Sequence, residues 1–272
     1  LKKLFLISAA LLAAISSVQS ADLPRTYTKA PAAPTANWTG WYAGVNFGYG
    51  FNDPTVTIIP ADAVSTAIGA KPIPASYNVD GVLGGAQIGY NWQLSPNWLV
   101  GLEADFQGSN IKGSGSATEP VNTFATLGQQ KLEWFGTVRA RVGILATEKL
   151  LAYATGGFAY GSVNDNALIT STAGFGAAIN NNSFNCPGGG AVCFAGSRTK
   201  VQTGYTAGAG LEYAAWQNVS VKMEYLYVNL GSGDVTTTAL AVLAPGDVPG
   251  KFNAHFSDLD FHVVRVGANW RF

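Results

Sequence analysis

Ten ionisable side chains recur at alternating positions within otherwise apolar segments: Glu103, Asp105, Glu133, Arg139, Arg141, Glu212, Lys222, Glu224, Arg265 and Arg271. Each holds the parity opposite to the apolar residues of its segment, so all ten are expected on one face of whatever carries them. Five acids against five bases can do one of two things. Lining a water-filled passage, they would act as an ion filter. Held in a narrow space poor in water, they must neutralise one another as ion pairs. The equal count favours pairing, because a balanced set prefers neither anions nor cations.

The remaining reactive residues suggest little chemistry. Cys186 and Cys193 flank Pro187, Gly188, Gly189, Gly190, Ala191 and Val192. In an exported chain such a pair is expected to close a disulfide. Metal binding would need a further ligand, and no histidine or acid lies between them, so neither a metal nor a cofactor is expected. His255 and His262 are the only histidines. His262 could serve a lipid-modifying hydrolase together with Ser257, but no acid of matching parity follows it, and no catalytic residue is expected. Gly48-Tyr49-Gly50 and the glycines between 204 and 210 lack the Lys-Ser/Thr and following helix of a phosphate loop. Glycine there leaves room for neighbouring long side chains.

The elements that must carry the ten charges are strands. From Trp41 to Phe51 the odd positions are large or apolar and the even ones, from Tyr42 to Gly50, mostly small or polar. The same period of two returns over 82–92, 98–107, 132–144, 205–213, 219–227 and 264–272. Residues 150–161 form an eighth strand whose two faces are too alike for its phase to be fixed. The links at 93–97, 146–149 and 214–218 are short, whereas 52–80, 108–131, 162–200 and 229–260 are long. Strict alternation of short and long links predicts an all-β, eight-stranded, antiparallel up-and-down transmembrane β-barrel with short periplasmic turns and four long outer loops.

Three features put the apolar face outside. The interior of an eight-stranded barrel is just wide enough for side chains, and the large residues of the apolar face would overfill it. Aromatic residues gather at the strand ends in two girdles, with Trp41, Trp92, Trp98, Tyr213, Trp270 and Phe272 at the periplasmic end and Phe51, Phe106, Trp134, Tyr205 and Tyr227 at the outer end. The last strand finishes on an outward aromatic, Phe272.

Composition agrees with this reading. Only 12% of residues are charged, 12% are aromatic, and 33 of 272 are glycine, a profile poor in helix formers. Residues 1–20 have the basic start, short apolar run and small-residue cleavage site of a secretory leader. Residues 21–40, with Pro24, Pro31 and Pro34, form a periplasmic linker, and 41–272 the barrel domain. The leader carries two lysines and no acid, so the remainder has a net charge of −2. Nothing in that balance suits nucleic acid. Outer-membrane lipids are the expected partner.

The runs Asn37-Trp38-Thr39-Gly40-Trp41-Tyr42-Ala43-Gly44, Trp134 to Gly143, Glu224-Tyr225-Leu226-Tyr227 and Arg265 to Phe272 resemble the porin-like outer-membrane β-barrel proteins of alphaproteobacteria, along the whole chain after the leader. The resemblance implies that Phe272 belongs to the signal read by the outer-membrane assembly machinery. It also implies a surface protein in the cell outer membrane. The expected function is therefore a non-enzymatic barrel with a charge-plugged lumen, supporting envelope integrity and meeting host or surface ligands through its outer loops. A small passive pore is the alternative. Haem ligation by His255 on an outer loop is a further alternative suggested by the resemblance alone.

Overall fold

A computed structural model describes residues 37–119 and 124–272. The expected leader and most of the linker lie outside the described residues. In chain order the elements are β1 (Gly40–Asn52), β2 (Thr55–Pro60), α1 (Ala63–Ala67), β3 (Ile73–Ser76), β4 (Val79–Gln93), β5 (Trp98–Glu119), β6 (Phe124–Thr147), β7 (Leu150–Ser171), β8 (Phe175–Ile179), β9 (Asn182–Cys186), β10 (Ala191–Ala214), β11 (Val219–Asn229), β12 (Gly233–Ala239), β13 (Val248–Pro249), β14 (Lys251–Phe256) and β15 (Asp260–Arg271).

Antiparallel ladders run from β1 through β4, β5, β6, β7, β10, β11 and β15 and return to β1, so these strands have no free edge along their paired lengths. Closure satisfies backbone hydrogen bonds internally, as a sheet surrounded by hydrocarbon requires. The sheet continues past β10 into β12, β14, β2 and β3, and among the described residues it holds twelve strands, more than the eight expected. The additional strands lie in the links expected to be long outer loops, so that expectation is corrected: these segments are largely strand. β2 and β3 occupy the first, β12 and β14 the fourth, and β8, β9 and β13 form a separate small sheet from the third and fourth. The second link is largely prolonged β5 and β6. At 24 residues, a tilted β6 rises roughly 60 Å, well beyond an apolar band of about 25 Å.

The two ends of these long strands have opposite patterns. Toward the short turns, apolar side chains face out: Val45 and Phe47 are 65% and 60% exposed, and Leu102, Val138 and Val266 are similarly placed. Toward the long links, apolar side chains face in. Val56, Ile58, Ile111, Phe124, Leu132, Phe135, Phe252 and Phe256 are all buried in one core, while Lys112, Gln129 and Lys131 are exposed. A single strand can therefore be membrane-like at one end and water-soluble in pattern at the other.

On β6 the inversion falls at a bulge. Leu132 pairs with Val163 and Trp134 with Ser162, leaving Glu133 unpaired between them. One extra residue moves every subsequent side chain to the other face. Below the bulge Thr137, Arg139 and Arg141 point inward; above it Leu132 and Gln130 do so. Strand β7 also acquires a definite phase, with Leu151, Tyr153, Thr155 and Ala159 buried and Ala154 and Phe158 exposed. Its inner face looked apolar in the sequence because Leu151 and Tyr153 join a second buried cluster with Trp38, Leu99, Leu145 and Ala214.

Trp38, placed by sequence in the linker, is thus a core residue. Its indole Nε1 donates to the Glu148 carbonyl at 3.2 Å, and its backbone N–H donates to Gln93 Oε1 at 3.1 Å.

Candidate functional site

Between the two apolar clusters lies a layer of charge. Glu103 and Asp105 project from β5, and Arg139 is the register partner of Glu103 on β6. Lys222 on β11 lies opposite Glu212 on β10, and Glu224 on β11 lies opposite Arg265 on β15. Alternation aims all of these inward, so the pairs form across the interior as well as between neighbouring strands.

Arg139 is the centre of the cluster. Its guanidinium donates to Asp105 Oδ2 at 2.9 Å and to Glu224 Oε1 at 3.1 Å, and it also pairs with Glu103. Arg265 donates through Nε to Glu224 Oε2 at 2.7 Å and through Nη2 to Asp105 Oδ2 at 2.8 Å. Lys222 Nζ reaches across to both Glu103 oxygens, at 2.9 and 2.8 Å. Arg141 Nη2 donates to Glu212 Oε2 at 2.7 Å. The side chains of Arg139, Lys222, Arg265 and Asp105 are 0% exposed and that of Glu103 only 3%. Burial on this scale costs several kcal/mol for each ion unless partners satisfy it, and four acids here face four bases.

Neutral polar groups complete the layer. Tyr42 Oη donates to Glu103 Oε2 at 2.8 Å and accepts from Arg141 Nη1 at 3.0 Å. Tyr153 Oη donates to Glu224 Oε1 at 2.9 Å, while the Arg141 guanidinium stacks 4.2 Å from its ring centre. An amide relay runs from Asn46 through Gln87 and Asn269 to Glu212. Glycines on the same face make the space. A Cβ at Gly89 would overlap the Tyr42 ring, and one at Gly210 would come within 2.6 Å of the Tyr153 hydroxyl. Sequence reasoning missed these two tyrosines, although the parity of Tyr42 within β1 already places it opposite Trp41.

Two of the ten expected charges fall outside the layer, and both are corrections. Glu133 is the unpaired residue of the β6 bulge; it faces out, 3.9 Å from Lys131 Nζ. Arg271 lies at the lower mouth. There its guanidinium sits 4.8 Å from the Trp38 ring centre and donates to the Gln217 carbonyl at 2.9 Å. One acid and one base leave together, so the charge balance survives.

The other singled-out residues stand apart. Cys186 and Cys193 are disulfide-bonded and buried in the upper core alongside Phe184 and Phe194. His255 Nδ1 is 2.7 Å from Asp234 Oδ1 on the exposed face of β14 and β12. His262 Nδ1 is 2.6 Å from Tyr225 Oη, with its ring among those of Phe51, Tyr225 and Tyr227. Among the described residues, no group of three or more histidines, cysteines and acids is placed to hold a metal ion.

A closed β ladder that is apolar outside and ionised inside defines a β-barrel of the kind that resides in bacterial outer membranes. The chain belongs to the outer membrane protein beta-barrel domain family, whose model matches residues 7–272. It is 37% identical, over all of both chains, to a 31 kDa outer-membrane immunogenic protein of Brucella melitensis. A 22 kDa outer membrane protein of Rhizobium leguminosarum is 25% identical over 76% of this chain and 71% of its own. Among solved structures, the outer membrane protein OprG of Pseudomonas aeruginosa covers 88% of this chain and 99% of its own, at 12% identity and a TM-score of 0.46. The protein is thus an outer-membrane protein of an alphaproteobacterial β-barrel family.

Proposed function

We propose that the protein is a non-enzymatic surface barrel whose lumen is plugged, and that it serves envelope integrity and interaction through its outer loops. Eight strands, β1, β4, β5, β6, β7, β10, β11 and β15, cross the membrane, with the short turns in the periplasm. The observation that carries this reading is the ion-pair layer, whose side chains bridge opposite walls with next to no solvent exposure. The cluster around Trp38 below and the apolar core above would close the same passage at two further levels. Phe272 would serve the assembly machinery, and the prolonged strands with their disulfide-bonded tip would be the part displayed to ligands. The description of the Brucella relative as immunogenic supports that exposure.

Planar-bilayer recording tests the reading against the porin alternative. The purified protein, inserted in its folded form, is expected to leave the bilayer electrically silent. Large, stable open-channel steps would replace the plug with a pore.

A further inference from the structure

We propose that the free edge of β8 pairs with the same edge of a second copy of this chain, joining two barrels through their outer tips. The pairing rests on the prolonged strands standing outside the membrane but not on a plugged lumen, so a conducting barrel would leave it standing.

The backbone of β8 carries the inference. Asn180 and Asn181, at φ 53° and 63°, make the two-residue turn that joins β8 to β9. Such a turn closes on a hydrogen-bonded pair, here Ile179 and Asn182, so Phe175, Ala177 and Ile179 direct their N–H and C=O groups toward β9. On β9 the intervening residues turn the other way, the Ser183 carbonyl accepting from Gly250 and the Asn185 N–H donating to the Ala241 carbonyl. By the same alternation Gly176 and Ala178 aim their N–H and C=O groups away from the sheet. Both residues are exposed, and among the described residues these groups have no hydrogen-bond partner.

Free edges of this kind are usually guarded. At the end of the large sheet β3 carries Pro74, and across the small sheet from β8 the strand β13 carries Pro249. β8 reads Phe-Gly-Ala-Ala-Ile, with neither proline nor charge, and no charged residue lies between Asp165 and Arg198.

The occupant that fits this edge is the edge itself. Laid antiparallel about a two-fold axis at Ala177, two copies set Gly176 opposite the second copy's Ala178, and Ala178 opposite the second copy's Gly176. Each is then a hydrogen-bonded pair that exchanges both N–H···O=C bonds, so the free groups of both edges are satisfied together. The other opposites are Phe175 with the second copy's Ile179 and Ala177 with its own counterpart, apolar pairs with no like charges in contact. An uncharged edge offers nothing to a charged peptide, whereas its own sequence matches it in polarity and in register. The contact is isologous and closes at two copies.

Oxidative cross-linking of single added cysteines tests the pairing on the full chain, folded in vesicles. At the axis the two Ala177 Cα atoms would be about 4.5 Å apart, within disulfide range, and the two Ile179 Cα atoms roughly 14 Å apart, far beyond it. Ala177→Cys is expected to give a disulfide-linked dimer, and Ile179→Cys only the background of random collision. Peptide mass spectrometry should assign the new bond to position 177 in both copies, with Cys186–Cys193 intact. Adding Ala178→Pro to Ala177→Cys removes an outward N–H from each edge and should abolish the dimer. Retention of the heat-dependent gel shift shows that each variant is folded. Equal cross-linking at positions 177 and 179, no dimer from folded Ala177→Cys, or a dimer undiminished by Ala178→Pro would each overturn the proposal.

Discussion

Arg139→Met is expected to destabilise the folded barrel by about 3 to 5 kcal/mol, the range for removing one member of a buried ion pair. Methionine keeps much of the volume but none of the five donors, so Asp105, Glu103 and Glu224 each lose a partner. Arg265, Lys222 and Arg141 remain, but four carboxylates then share three bases among side chains with almost no solvent exposure. The loss can be read from urea unfolding in lipid vesicles, following the gel shift between folded and unfolded forms. Adding Glu224→Gln to Arg139→Met should recover part of the loss, because the surviving charges again balance. A double-mutant cycle isolates that recovery. Strictly additive losses would mean that the two side chains are separately solvated and do not share a dry cluster.

Trp38→Ala should cost a comparable amount, about 3 to 5 kcal/mol, by leaving a large cavity where an indole now fills the lower mouth. The residue is 1% exposed and packs with Leu99, Leu145, Leu151 and Tyr153. Its loss also removes the ring beneath the Arg271 guanidinium and the hydrogen bond to Glu148. The lower mouth should open while the charged layer above it stays intact, so the variant should unfold at lower urea yet remain silent in a bilayer. An unchanged unfolding midpoint would show that Trp38 rests on the mouth without supporting it.

The membrane-facing half of the fold was legible because lipid forces a rule that sequence records directly. Every second residue must be apolar over about ten positions, and the opposite parity is then free to carry charge. That rule located Glu103, Asp105, Arg139, Arg141, Glu212, Lys222, Glu224 and Arg265 on one side. It failed at Glu133 because a bulge is a local insertion with no strong signature of its own, and one extra residue reverses the assignment of everything beyond it. It failed for β7 because Leu151 and Tyr153 belong to a buried apolar cluster, so both faces of that strand look alike. The upper strands were hidden for a related reason. Toward the long links the pattern turns inside out, and short pieces such as β2, β12 and β14 are stabilised by pairing with partners distant in sequence, which a local period cannot report. Arg271 was placed with the cluster by parity alone; parity fixes the face but not the depth.

The central claim is that the charged layer is dry. Thr137, the register partner of Asp105, is fully buried on the inner face, and among the described residues there is no free cysteine. Thr137→Cys therefore puts a single thiol of nearly the same size inside the layer. With the disulfide kept oxidised and the folded protein in vesicles, a membrane-impermeant thiol reagent should fail to label this position until the barrel is unfolded. The exposed variant Lys131→Cys should label at once under the same conditions. Labelling of folded Thr137→Cys as fast as Lys131→Cys would contradict the account, because it would place a continuous path for water and solute where the ion pairs are held to close the lumen.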